Sequence, residues 1–180
     1  MPFGRIPSRP VKRLMIVAAI AMLTVTGCGT AHPANPLATA TNVPANNAFL
    51  TNATTACTAA LNLLTQRPFP YSDFNQNDPA VSELPAVGAF YDAQKFNHDE
   101  LAFAQGLGEP TTGQGTWKVF VNLVGQEQTA MASQISAAKA ANKTGFLASV
   151  KQLAAIESEI DSIAAAAGFA QGSDCILLFG

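Results

Sequence analysis

His98 stands beside Asn97, Asp99 and Glu100, and nowhere else in the 180 residues does a histidine meet carboxylates. Imidazole next to carboxylate is the raw material of general acid–base catalysis and of metal ligation. Successive residues on a helix point about 100° apart, however, so these side chains diverge, and the spacing describes a solvated helix face. Gly106, Gly108, Gly113 and Gly115 have the density of a phosphate-cradling loop. No strand signal precedes them, no Gly-Lys-Ser/Thr follows, and Glu109 would oppose an anion, so an interhelical turn is expected. His98 is the sole histidine after His32, and with no nucleophile elbow around any serine a Ser-His-Asp triad has little to build on. Met131 and His98 on facing helices would be the pair to ligate haem, but a core methionine and a surface histidine account for both. Two glycosylation-type triplets, Asn52-Ala-Thr54 and Asn142-Lys-Thr144, and an internal His98-Asp-Glu-Leu101 carry no weight in these positions. The residues therefore predict no enzyme, no metal site and no cofactor.

Chemistry of another kind is written at the N-terminus. Met1 to Arg13 is basic, and Leu14 to Val25 follows as an uncharged run of twelve. At roughly 1.5 Å per residue such a run falls short of a bilayer core of about 30 Å, which makes it a signal-peptide core rather than a membrane span. Val25-Thr26-Gly27-Cys28 then resembles the lipobox of bacterial lipoproteins, an aliphatic residue and two small ones before a cysteine. That resemblance implies cleavage after residue 27 and lipid on Cys28. Each buried methylene adds about 0.8 kcal/mol of membrane affinity, so two or more acyl chains anchor stably. The expected address is the extracytoplasmic face of the cell membrane. Ten basic residues less the four in the leader leave six against twelve carboxylates, a net charge of −6. A surface of that sign lacks the basic stripe that nucleic acid requires and excludes it as a partner.

The elements that position the remaining residues follow from periodicity. Residues 28–47 are rich in Ala, Thr, Asn and Pro without charge or apolar period, and read as a lipidated N-terminus with a flexible tether. Its span would be on the order of 25 Å. Residues 48–180 read as one helical domain. Phe49, Ala53, Cys57, Ala60 and Leu64 predict a first helix over Ala48 to Gln66, stopped by Pro68 and Pro70. After a turn at Pro79 to Glu83, a second helix is predicted from Pro85 to Leu107. Its inward positions are Val87, Phe90, Gln94, Leu101 and Ala104, widened by Phe96, Phe103 and Leu107. A third, capped by Thr116 and running through Ala141, carries Trp117, Phe120, Val124, Met131, Ile135 and Ala138. The fourth carries Phe146, Val150, Leu153, Ile156, Ile160, Ile163 and Ala167 before Gly168. With no hairpin signals and short connections, the expected fold is all-α, an up-and-down four-helix bundle.

Once Cys28 is committed to lipid, Cys57 and Cys175 remain as a pair in a compartment that permits disulfides, and a bond between them is expected to close the bundle. Many rings are available to one small core. Gln94, Phe103, Phe120 and Glu127 fall on inward stripes and are the candidates to line an apolar ligand site, against the alternative that they fill the core.

The lipobox, the small-residue tether, the Ala56-Cys57 pair, two long Ala-rich helices and the closing Gly168-Phe-Ala-Gln-Gly172-Ser-Asp-Cys175 together resemble small helical envelope lipoproteins of mycobacteria and related actinobacteria. The resemblance implies the fold, the disulfide and the location. The function expected on these grounds is a membrane-anchored envelope lipoprotein with a non-enzymatic interaction or structural role. Its partners would be the membrane, through Cys28, and an envelope protein or lipid. The alternative is a carrier or sensor holding a lipid-like ligand between its helices.

Overall fold

The computed structural model describes residues 43–66 and 69–179, and within these the side chains of 95–98 are not described. Helix dominates, with no strand among the described residues. Six helices follow in order: α1 (Asn47–Thr65), α2 (Leu84–Asp92), α3 (Lys95–Gly106), α4 (Gln114–Lys139), α5 (Lys143–Ala167) and α6 (Asp174–Phe179).

The two long helices are the frame, and each follows its apolar period. On α4, Trp117, Phe120, Val124, Met131, Ile135 and Ala138 are buried; on α5, Phe146, Leu153, Ile156, Ile160, Ile163 and Ala167. They are joined at a tight turn. Asn142 caps α5 by accepting the Gly145 amide at 3.0 Å. Just before it Ala141 adopts φ 54, which lets the Asn142 amide reach back to the Ala137 carbonyl at 2.9 Å. At the far end of α5, Gly168 at φ 100 does the same service, and the Phe169 amide bonds Ala164 at 3.1 Å. The cap of α4 differs from expectation. Its first residue is Gln114 after Gly113 at φ 74, so Thr116 lies inside the first turn and donates instead to the Val43 carbonyl at 3.4 Å.

The single helix expected over Pro85 to Leu107 is two. α2 ends at Asp92, Gln94 takes an extended conformation (φ −85, ψ 107), and α3 begins at Lys95. Neither proline nor glycine stands at the break, so tertiary contacts impose it. Gly88 brings α2 so close to α4 that a β-carbon there would lie 2.8 Å from the Lys139 backbone nitrogen. Lys139 then holds Asp92 at 2.7 Å. Farther along, the methyls of Leu101 face Gly125. Position 88 opposite 139 and position 101 opposite 125 set an antiparallel register for α2–α3 along α4.

The sixth helix has no counterpart among the elements expected from periodicity. α6 buries Cys175, Ile176, Leu178 and Phe179 and packs against α1 and α5. The Cys57–Cys175 disulfide ties it to α1 with an S–S distance of 2.09 Å and a Cα–Cα distance of 5.0 Å. Thr58 adds a 2.5 Å hydrogen bond to Asp174. Ahead of α1, residues 43–46 are strapped across one end of the domain. The Ala45 amide donates to Ala167 (2.8 Å), Thr112 donates to the Pro44 carbonyl (3.1 Å), and the Asn46 side chain accepts the Thr111 amide (2.9 Å). Gly113 is required there, because any β-carbon would collide with the strap backbone at Val43 and Pro44.

Candidate functional site

Of the residues singled out by sequence, Cys28 lies outside the described residues. Cys57 and Cys175 are bonded and fully buried. Phe120 and Phe103 come together, but around a third ring rather than a void. Phe120 stacks on Trp117 (centroids 4.8 Å apart) and meets Phe179 edge-on at 5.2 Å, while Phe103 lies 5.9 Å from the same Phe179. The ring of Phe179 thus occupies the space between two of the candidate lining residues, and offset or edge-on pairs of this kind contribute about 0.5–1.5 kcal/mol each beyond area burial. Gln94 does not join them. It sits half-buried at the α2–α3 break, and the register places it level with the Met131 to Ser133 stretch of α4.

Glu127 is fully buried on the inward stripe of α4. So is Glu100 on α3, in place of the solvated face that its sequence neighbours suggest. Glu100 precedes Ala104 by one turn and Leu107 by two, so the three share the inner stripe of α3, and Leu101 lies beside that stripe against Gly125. Asp99 is exposed as expected, and the side chains of Asn97 and His98 lie outside the described residues. The register puts Glu100 level with Gln126 and Glu127, so two carboxyls occupy one layer of the α3–α4 interface. A carboxyl removed from water is tolerated only with internal partners, and neither of these lacks one. The spacing of Glu100 from Ala104 and Leu107 is the signal in the sequence that points to it. Gln134, one further turn-pair along α4, is also buried, and its amide nitrogen meets no hydrogen-bond partner.

Outside the core, a groove of about 470 Å³ opens where α3 and α5 flank α4. Its floor is Leu101, Val121 and Gly125. Amide side chains rim it, Gln105 from α3, Asn122 and Gln126 from α4 and Gln152 from α5, together with Thr129 and Lys118. None of the sequence candidates lines it. The residues carry no metal-ligand spacing and no catalytic pattern, so a reading of motifs passes over them.

Among the described residues no helix is long and apolar enough to cross a membrane, and no group of three or more His, Cys, Asp and Glu side chains is placed to hold a metal ion. No protein-family model matches the chain, and comparison with curated proteins and with solved structures gave no match.

Proposed function

We propose that the chain is an exported lipoprotein, held to the extracytoplasmic face of the cell membrane by lipid on Cys28, whose helical domain has a non-enzymatic interaction or structural role there. The observation that carries this reading is the Cys57–Cys175 bond between α1 and α6. Such bonds form and persist in oxidising compartments, which supports a location on the far side of the membrane from the cytoplasm. With that pair spent, Cys28 is the one cysteine left for the lipobox chemistry. The course through α1, α2–α3, α4 and α5 is read as the up-and-down path of a four-helix bundle, with α2–α3 as one broken leg and α6 as an added wedge.

Cys28→Ala tests the anchor. The substituted protein loses lipid labelling and appears in the medium, and an unchanged membrane partition overturns the proposal. A carrier reading draws on Gln134, whose buried amide nitrogen would suit a polar group on an otherwise apolar guest. The packing of Phe103 and Phe120 around Phe179 weighs against it. Native mass spectrometry separates the two, since a carrier co-purifies with apolar molecules and a reproducibly empty protein is not one.

A further inference from the structure

We propose that the groove between α3, α4 and α5 is a binding site for a neutral saccharide bearing acetamido groups. The first support is its chemistry. Four primary amides and a threonine hydroxyl surround three residues without polar side-chain atoms, so the site offers donors and acceptors at the rim and an apolar floor. A sugar ring is amphipathic in the same sense, with hydroxyls at its edge and C–H bonds on its face. A groove of about 470 Å³ falls within the size range of small-molecule sites.

Charge narrows the class. Lys118 is the lone ionic group of the lining, and it is answered by Glu109 at 3.9 Å. One exposed lysine with a carboxylate 3.9 Å away is a weak attractor for an anionic guest. The acetamido preference comes from a pair of exposed amides on α4, where Gln126 donates its Nε2 to Asn122 Oδ1 at 3.1 Å. That bond leaves Asn122 Nδ2 as donor and Gln126 Oε1 as acceptor, a pairing that matches the C=O and N–H of one acetamido group, with the side chains of Leu101 and Val121 in the same lining as apolar surface for its methyl.

Gly125 is the second and independent support. It lies in the middle of the 26-residue α4, where glycine is the least favoured of ordinary residues. Packing does not require it. A β-carbon there would meet the Leu101 methyls at 3.5 and 3.6 Å, which is ordinary contact. Glycine at this position keeps the floor of the groove bare, which is consistent with the expectation that departures from local preference without a packing reason gather at functional sites.

The test uses the full chain in detergent with its disulfide intact, titrated with a tetrasaccharide of N-acetylglucosamine and followed by ligand-observed NMR. Saturable binding is expected, weakened about tenfold or more by Gly125→Leu, whose side chain fills the floor, and changed less than about twofold by Lys118→Ala. Gln105→Ala with Gln152→Ala, both at exposed positions, is a second disruption that leaves the core untouched and is expected to weaken binding about as much. No binding up to about 10 mM overturns the proposal, as does binding that all these substitutions leave unchanged. Equal binding of a glucose tetrasaccharide overturns the acetamido assignment. Preferential binding of an inositol phosphate, abolished by Lys118→Ala, overturns it in favour of an anion site. The groove's chemistry stands whether or not Cys28 carries lipid, so failure here leaves the anchor proposal intact.

Discussion

Two residues of α4 and its turn show the backbone used against local preference in opposite directions. Ala141 holds φ 54, a conformation in which its own β-carbon is strained, and it does so to close the end of α4. Ala141→Gly is expected to raise stability by about 0.5–1 kcal/mol. Gly125→Ala is expected to do the same from the other side, by about 0.5–1 kcal/mol, because the helix gains a favoured residue and the methyl finds room. Urea unfolding of each variant checks both values. The hydrogen bond and charge of Lys143 hold the Asp78 carboxyl below its ordinary value of 3.8. A lowered folded-state value means the pair favours the folded state above the unfolded value, and that contribution disappears as pH falls through the folded one. Neutral pH should therefore reveal no titration from it. An NMR titration is expected to place the Asp78 midpoint below 3.8 and to move it upward in Lys143→Ala.

Helices whose apolar residues keep one phase from end to end are legible in the amino-acid sequence. The inward positions of α4 and α5, and Phe49, Ala53 and Cys57 on α1, lie where the period of 3.6 places them. The α2–α3 leg is not legible in this way, because it breaks at Gln94 under contacts that no local pattern encodes. A single period carried across the break still finds Ala104, Phe103 and Leu107 inward, but Glu100, grouped with the charged residues beside it, is assigned to solvent although it is fully buried. α6 escapes for a different cause. Six residues are too few for a period to emerge, and Cys175-Ile-Leu-Leu-Phe179 reads as an apolar tail until Cys57 supplies its position. The candidate site shares this fate: periodicity identifies Phe103 and Phe120, but the ring of Phe179 that occupies the space between them belongs to the element without a period. The tightest helix crossing is testable. Gly88→Leu would drive a side chain into the Lys139 backbone and is expected to cost about 1–3 kcal/mol, read by thermal unfolding. A merely open surface there would leave stability within about 0.5 kcal/mol.

At the scale of the molecule, α1 is held by the strap of residues 43–46 at one end and by α6 along its flank, besides the edge-on contact of Phe49 with Trp117 of α4. The disulfide makes the attachment to α6 a permanent one. Replacing both Cys57 and Cys175 by Ser is expected to cost about 2–5 kcal/mol in chemical denaturation, since the bond restrains a long loop in the unfolded chain. The same bond has a consequence that is topological rather than energetic. It encloses nearly the whole domain, its ends 118 positions apart in sequence, so a protease that cuts anywhere between α1 and α6 opens a ring instead of severing a strand. The exposed Tyr71 to Asp73 stretch between α1 and α2 offers such a place. A domain nicked there stays one covalent body of full mass without reductant and separates into two fragments only when the sulfurs are parted. If Cys28 carries the lipid, the piece beyond the cut remains on the membrane with the piece that holds the anchor.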